Sequence, residues 1–286
     1  MSQMDTQKEN ITNKDDLFRL LQNKSAWVRR ETLRIHKIAP GIRLASCLSC
    51  VEIFAVLYYS GIMRYKPGET LWDSRDRFII SKPHGAVSLY PILADKGYFD
   101  MAELAKVGKK GAILNDIPDG SIPGFETING SLGHGLGLAC GIALGLKRRN
   151  RKELVYILSG DGELFEGSVW EAIMFASHHR LDNLILIIDN NKICMLDYCK
   201  NILDLGSLEE KFRIFGWHTH TVDGHDVKDL HHGLSVLIGN RDNGPKVLIA
   251  NTVKGKGVPR LEGDSLCHIK ALKGEEIDKL LMEMEC

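Results

Sequence analysis

Carboxylate and amide side chains follow two apolar runs of this chain, at a spacing suited to a shared metal site. Asp161 comes shortly after the run at 154–158, and Asn191 follows the run at 184–188 about thirty residues later. A helical stretch lies between the two runs, which predicts a strand, a helix and a second strand. Because carboxyl ends of parallel strands meet at one sheet edge, where open α/β sheets bind ligands, we expect Asp161 and Asn191 to lie close together. Their oxygens suit Mg²⁺ or Ca²⁺, with a diphosphate supplying further oxygens.

The bulk composition argues against several classes of function. The 286-residue chain holds 37 basic and 37 acidic residues, so its charge balance predicts neither nucleic acid nor an anionic membrane as a partner. No apolar run reaches the ~20 residues that a membrane-spanning helix needs, and the polar N-terminus does not resemble a signal peptide. Seven cysteines spread over this length do not resemble a disulfide framework, which favours the reducing cytoplasm.

Strand-like and helix-like segments alternate along the chain and predict an α/β fold. The runs near 77–81, 154–158, 184–188, 218–222 and 247–251 are typical of strands, and helical patterns separate them. This alternation implies right-handed crossovers and a mostly parallel sheet flanked by helices. We expect a loose, polar N-terminal tail at residues 1–12 and a single domain at 13–286.

Local signals place several of the helices and one long loop. Asn13, followed by two aspartates, predicts a helix start, and Pro40-Gly41 predicts its end. Further helices are expected from about Leu48 to Tyr59 and from about Ala86 to Lys96. The segment 108–130 is rich in glycine and proline without periodicity, so we expect an ordered loop over a site.

The residues around Asp161 and Asn191 resemble the thiamine diphosphate motif, in which Gly-Asp-Gly is followed about thirty residues later by Asn-Asn. The wider segments 160–172 and 181–193 resemble those of transketolases, and most closely those of the separate N-terminal subunits of split transketolases. The resemblance implies the thiamine diphosphate-binding fold, also called the diphosphate-domain fold. A turn and a loop that matched by chance would share neither this spacing nor the flanking strands.

The resemblance implies a thiamine diphosphate site with a bound Mg²⁺ or Ca²⁺ ion. The implied metal ligands are Asp161, Asn191 and the backbone carbonyl of Ile193. Because glycine has no side chain, Gly162 would let the backbone approach the phosphates closely. The implied cofactor-binding residues are Gly130, Leu132, His134, Gly162, Glu163, Asn191, Lys254 and His268.

A second glycine cluster at 130–137 resembles a family segment that packs on the cofactor and begins a helix. His134 stands where the family usually has glutamine. Read alone, the cluster is a weak dinucleotide-binding fingerprint. That interpretation, and with it a dehydrogenase, is disfavoured because no strand precedes the cluster and no acidic residue follows a second strand at the required place.

Three side chains are implied to be catalytic. His84 lies in the segment 81–85, which resembles a family segment whose histidine lines the substrate channel. The segment 252–258, which contains Lys254, also matches the family. The family places a histidine downstream of it, near the phosphates of the cofactor and the substrate, and His268 is the only candidate. Glu166 aligns with a family glutamate that relays protons between two active sites across a dimer interface. The alternatives are a structural histidine after a strand and a surface glutamate after a turn.

Two histidines of the family pattern, both on the sugar side of the site, are replaced in this chain. Arg43 stands at the first position, and Asn115 or Asp116 stands at the second. This pattern predicts that cofactor binding is kept while the substrate chemistry is altered. Arg43 would either bind an anionic group or face solvent.

The matched segments run from about residue 15 to 268 and imply the diphosphate-binding half of a transketolase. The implied reaction transfers a two-carbon ketol unit from a ketose to an acceptor. In the family, the glutamate that activates the cofactor lies in a pyrimidine-binding domain, and no residue here matches it. The resemblance therefore implies a C-terminal partner subunit that carries this domain, most simply in an α₂β₂ assembly. Two alternatives remain: transfer to a lipoyl or carrier-protein thiol, and a cofactor-binding subunit without turnover.

Overall fold

A parallel sheet forms the centre of the protein. The structure is a computed structural model that describes residues 13–127 and 130–284; the predicted loose tail at 1–12 lies outside the described residues. The strands of these residues are β1 (Arg77–Ile80), β2 (Val155–Gly160), β3 (Leu184–Asn190), β4 (His218–Asp223) and β5 (Lys246–Asn251). All neighbours pair in parallel, in the order β1-β2-β3-β5-β4. The predicted fold class is confirmed.

Helices cover both faces of the sheet. They are α1 (Lys14–Ile38), α2 (Leu44–Leu48), α3 (Val51–Tyr59), α4 (Tyr90–Asp95), α5 (Gly135–Arg148), α6 (Gly167–His178), α7 (Cys199–Ile202), α8 (Leu208–Ile214), α9 (Val227–Gly239) and α10 (Gly274–Glu283). Alternate strand residues face opposite helical layers. Leu158 and Ile187 pack in the core with α1, α3 and α9, whereas Ile157 and Leu186 pack with α5, α6 and α8. Burial on both faces explains why these strands read as continuous apolar runs.

The predicted start of α1 is confirmed. The side chain of Asn13 accepts a hydrogen bond from the backbone N–H of Asp16 at 2.8 Å, which satisfies one of the donors that a helix start leaves unpaired. Asp15 and Asp16 lie in the first turn, where negative charge is favourable. The helix ends at Ile38, just before the predicted break.

The structure differs from two predicted helices. A short helix, α2, precedes the expected second helix, which begins at Val51. Residues 83–89 form a 3₁₀ helix, and α4 begins only at Tyr90. Pro91 lies in the first turn of α4, where its missing N–H does no harm; inside a longer helix it would break the hydrogen-bond ladder.

The segment 108–130 also differs from its prediction. Residues 120–126 line a cavity of about 360 Å³ together with Tyr65 and Tyr98, beside the start of β1. None of the described residues 108–127 lines the cleft at the opposite, carboxyl edge of the sheet. The described part of this loop therefore does not cover the predicted site.

Within residues 13–127 and 130–284, no helix combines the length and the apolar character that a bilayer requires.

Candidate functional site

A cleft of about 260 Å³ opens where β1, β2, β3 and β5 end. Most of the residues that the sequence predicted for a site line it: His84, Leu132, Asp161, Gly162, Glu163, Glu166, Asn191, Ile193, Lys254 and His268. Apart from Leu132, which lies before α5, these residues follow the ends of four strands, as expected for a site on a parallel sheet. Gly130 and His134 do not line the cleft. His134 is exposed at the start of α5 and lines a separate groove between α5 and α6.

Asp161 is a buried carboxylate with incomplete charge compensation. It follows β2 directly, and its oxygens accept the backbone N–H groups of Lys192 at 2.5 Å and Gly162 at 2.9 Å. Burial, followed by the negative charge of Asp189, raises the pKa of Asp161 to about 6. A cation bound at this carboxylate would therefore stabilise its charged form.

Asn191 and Ile193 present two further oxygens to the cleft. The amide nitrogen of Asn191 donates to Asp189 at 3.2 Å, which fixes the orientation of the amide, and its oxygen accepts the N–H of Ile193 at 3.1 Å. The ammonium of Lys254 donates to the carbonyl of Ile193 at 2.8 Å and to that of Cys194 at 2.9 Å. A cation thus already lies at the Ile193 carbonyl.

The donor chemistry fits a hard divalent ion. A carboxylate, an amide oxygen and a backbone carbonyl are the oxygen ligands that Mg²⁺ and Ca²⁺ prefer. Among the described residues no group of three or more histidine, cysteine, aspartate or glutamate side chains could hold a metal ion. Asp161, Asn191 and Ile193 offer three oxygens, fewer than the roughly six or more that Mg²⁺ or Ca²⁺ takes, so the oxygens of a diphosphate would complete the shell.

A buried lysine–aspartate pair lies beneath the cleft and was missed by the sequence reasoning. Lys82, just after β1, forms an ion pair with Asp189, which lies in β3 and is fully buried. Ser49 donates to the same carboxylate at 2.6 Å, and Thr252 also donates to it. Burial opposes ionisation, but the charge of Lys82 and these hydrogen bonds hold the pKa of Asp189 below its usual value.

Because Asp189 also orients the amide of Asn191, the Lys82–Asp189 pair supports this predicted metal ligand. The available signal was a charged residue directly after the apolar run at 184–188.

Glu163 lines the cleft, but its carboxylate is already used inside the protein. One oxygen accepts from the N–H of Gly133 at 2.7 Å and from the hydroxyl of Ser81. The other accepts from the hydroxyl of Ser159 at 2.7 Å and the N–H of Gly160 at 3.4 Å. The side chain therefore ties the loop at 130–135 to the ends of β1 and β2.

His84 and His268 contact each other in the lining of the cleft. Their rings pack edge to face with centroids 5.3 Å apart, and Nδ1 of His268 lies 3.2 Å from the hydroxyl of Ser46. Burial, followed by the charge of Lys254, lowers the pKa of His268 to about 3. Burial, followed by the charge of Arg43, also lowers the pKa of His84. Both imidazoles are therefore neutral at neutral pH, so each has one donor and one acceptor nitrogen.

The two positions at which this chain replaces a family histidine differ in their relation to His84 and His268. Arg43 is exposed at the start of α2, yet its charge contributes to the lowered pKa of both His84 and His268. Arg43 does not line the cleft itself. The carbonyl of Asn115 accepts the hydroxyl of Tyr90 at 2.7 Å. Asp116 is exposed, and neither Asn115 nor Asp116 lines the cleft.

The comparisons with known proteins agree with this geometry. The sequence profile of a family described as "Transketolase, thiamine diphosphate binding domain" matches residues 39–284. An apulose-4-phosphate transketolase subunit of Actinobacillus succinogenes is 37% identical over 268 residues, which cover 93% of this chain and 96% of the relative. The 6-deoxy-6-sulfo-D-fructose transketolase subunit SqwG of Clostridium sp. is also 37% identical, with the same coverage.

Solved structures match over most of this chain. The R525L mutant of transketolase from Pichia stipitis superposes with a TM-score of 0.86 at 26% identity, over 93% of this chain. Transketolase from Campylobacter jejuni gives a TM-score of 0.80 at 27% identity, also over 93%. This chain spans only 40% and 42% of those two longer chains.

Proposed function

This chain belongs to the transketolase family, whose members are thiamine diphosphate-dependent transferases, and we propose that it acts as the N-terminal subunit of a split transketolase. It binds thiamine diphosphate with Mg²⁺. Together with a separate C-terminal subunit it transfers a two-carbon ketol unit from a ketose to an acceptor. Residues 13–286 form a single thiamine diphosphate-binding domain in this proposal.

The observation that carries the proposal is the convergence of three hard oxygens on one cleft. Asp161, Asn191 and the carbonyl of Ile193 all line it, and the carboxylate is buried without a full counter-charge. Mg²⁺ commonly binds through a few protein oxygens and the phosphates of a ligand. We assign these three residues as the metal ligands.

The same cleft holds groups suited to the diphosphate and to the substrate. Lys254 supplies a buried positive charge. Gly162 lines the cleft beside Cys194, where a Cβ would lie 3.0 Å from the Cβ of Cys194. When bound, the cofactor supplies the nucleophilic carbon that cleaves the ketose. His84 and His268, both neutral, would donate to or accept from substrate hydroxyl groups.

We further propose that the donor is a ketose with an anionic group. The names of two relatives describe a phosphorylated and a sulfonated sugar. In this chain the permanent positive charge of Arg43, an exposed residue, acts on both cleft histidines. A guanidinium binds phosphate or sulfonate through paired N–H donors, which supports recognition of an anionic group.

The partner subunit carries the pyrimidine-binding domain and the glutamate that activates the cofactor. Several relatives of nearly the same length are named as one subunit of a transketolase, which supports a two-chain enzyme. We propose an α₂β₂ assembly, in which Glu166 relays protons between the two sites. Glu166 is exposed and lines the cleft, as a residue in that role must be.

Calorimetric titration with Mg²⁺ and thiamine diphosphate tests the metal site. We expect Asp161→Ala to weaken Mg²⁺-dependent cofactor binding at least about a hundredfold, because a charged metal ligand is lost. Asp242→Ala is the matched control, since this exposed aspartate lies before β5, at the opposite edge of the sheet. Unchanged affinity in the Asp161 variant would refute the proposed function.

A further inference from the structure

A histidine outside the predicted site is fixed by buried charges close to the cleft. His225 follows β4, and its Nδ1 lies 2.9 Å from a carboxylate oxygen of Glu52 in α3. Arg29 in α1 donates to the other oxygen of Glu52, also at 2.9 Å. Glu52 and Arg29 are both buried, and His225 is largely buried. The contacts tie α1 and α3 to the segment after β4, which is 173 residues from Glu52 in the chain.

The hydrogen bonds define the protonation of the ring. Nε2 of His225 accepts the backbone N–H of Val253 at 2.8 Å, so Nε2 carries no proton. The proton of the neutral ring therefore lies on Nδ1 and is donated to Glu52. Burial alone would raise the pKa of Glu52, but the hydrogen bond from His225 and the charge of Arg29 lower it, so the carboxylate is ionised.

The same three residues hold both ends of a short loop of the cleft. His225 binds the N–H of Val253, and Nε of Arg29 donates to the carbonyl of Lys256 at 2.9 Å. Between these two points lies Lys254, whose ammonium reaches the carbonyls of Ile193 and Cys194. The imidazole of His225 thus contacts Val253, the residue next to Lys254. The ammonium of Lys254 in turn binds the carbonyl of Ile193, a proposed metal ligand.

We propose that His225 is a positioning residue for the cofactor site: held by Glu52 in its Nδ1–H tautomer, it fixes the Val253 amide and thereby places the ammonium of Lys254 in the cleft. The inference rests on the proposed function for the role of Lys254, whereas the tautomer and the amide contact stand on the geometry alone. His225 touches neither the cofactor nor the substrate in this proposal.

The first test needs no cofactor. Nitrogen-15 NMR of the full chain is expected to show His225 as the neutral Nδ1–H tautomer, with a Val253 amide signal typical of a strong hydrogen bond. In Glu52→Gln the preference for this tautomer is expected to weaken, because the ionised acceptor is lost. An Nε2–H tautomer in the unaltered protein would overturn the proposal. This outcome is independent of whether the chain binds thiamine diphosphate.

The second test separates positioning from general stability. In His225→Gln the side-chain oxygen can accept the Val253 N–H in place of Nε2, whereas His225→Ala cannot. We expect the alanine variant to bind Mg²⁺ and thiamine diphosphate about tenfold more weakly, and the glutamine variant to recover most of that loss. His220→Ala, in β4, is the matched control and should bind as the unaltered chain does.

Two results of the second test would contradict the inference. Equal affinities of the glutamine and alanine variants would remove the hydrogen bond as the cause. Unchanged affinity in His225→Ala, with Asp161→Ala still defective, would show that the cofactor site works without His225. If Asp161→Ala bound the cofactor normally, the proposed function would fail instead, and the NMR tautomer would still decide the geometry.

Discussion

Arg43 replaces a substrate-side histidine of the family pattern, and this replacement can be tested directly. Its charge contributes to the lowered pKa of both cleft histidines, and it is not among the proposed metal ligands. We expect Arg43→His to lower kcat/KM for a phosphorylated or sulfonated ketose about tenfold or more, since a charge-assisted hydrogen bond is lost. Cofactor affinity should change by less than about threefold.

Steady-state kinetics with the partner subunit present, beside calorimetry on the single chain, would check this prediction for Arg43. An uncharged ketose of the same length serves as the control substrate, and kcat/KM for it should change little in Arg43→His. Equal losses of cofactor affinity and substrate preference would place Arg43 in the cofactor site instead.

His36 links α1 to the C-terminal segment and carries a pH-dependent part of the stability. Its Nε2 accepts the backbone N–H of Leu272 at 3.2 Å, and burial lowers its pKa from 6.5 to about 4. Between these values the unfolded chain binds more protons than the folded protein. The free energy of unfolding therefore falls as the pH drops through this window and is retained above it.

We expect His36→Gln to flatten this pH dependence. The glutamine oxygen can accept the Leu272 N–H but does not titrate, so the slope should decrease by up to ~1.4 kcal/mol per pH unit. Urea unfolding at several pH values between 6.5 and about 4 measures it. The exposed His178→Gln variant is the control. An unchanged slope in His36→Gln would show that this imidazole does not carry the effect.

At the scale of elements, the turn before α5 has no room for a side chain. Gly133 has a positive φ of 85°, and a Cβ there would lie 2.7 Å from Cβ of Glu166 and 2.9 Å from the hydroxyl of Ser168. Its N–H also binds Glu163. We expect Gly133→Ala to lower the free energy of unfolding by about 1–3 kcal/mol, through strain and through displacement of this turn.

Gly137→Ala is the matched control for that turn. Gly137 lies in α5, is exposed, and a Cβ there would meet no atom within 4 Å. Alanine has a higher helix propensity than glycine, so the free energy of unfolding of this variant should rise by about 0.5–1 kcal/mol. Urea denaturation of both variants measures the difference. Two variants of equal stability would show that the turn adapts without cost.

The elements that the sequence predicted well are those with a local cause. Strands buried on both faces read as apolar runs, and α1 carries its own start signal in Asn13. The parallel arrangement then brought Asp161 and Asn191 to one edge, as predicted. The later start of the expected second helix, at Val51, and the late start of α4 depend on packing and on Pro91, which shift boundaries by a few residues.

The features that the sequence did not predict depend on contacts between distant parts of the chain. Glu163 binds Ser81, and Lys82 pairs with Asp189; each contact spans 80 residues or more, and no local periodicity encodes it. The orientation of His134 away from the cleft likewise depends on how α5 packs on α6, so the matched segment alone did not indicate it.

At the scale of the whole molecule, the cleft opens at the carboxyl edge of the sheet beside exposed apolar side chains. We call these side chains the apolar rim: Met195, Leu196, Leu266 and Ile269. Met195 lines the cleft, and Leu266 and Ile269 flank His268 in the chain. Between 43% and 57% of each rim residue is exposed. Apolar side chains around a polar site are typical of a surface that a partner protein covers.

If the C-terminal subunit covers the apolar rim, a charge placed there should weaken assembly without changing the metal ligands. We expect Leu196→Asp and Ile269→Asp each to weaken binding of the C-terminal subunit by about tenfold to a hundredfold, because a buried carboxylate would lack a partner. Ketol transfer measured at limiting subunit concentration should fall in parallel and recover at high concentration.

Ile214→Asp is the control, since Ile214 is 83% exposed at the end of α8 and does not line the cleft. Sedimentation velocity of the mixed subunits gives the association constants, and rim variants that assemble as tightly as the control would place the partner on another face.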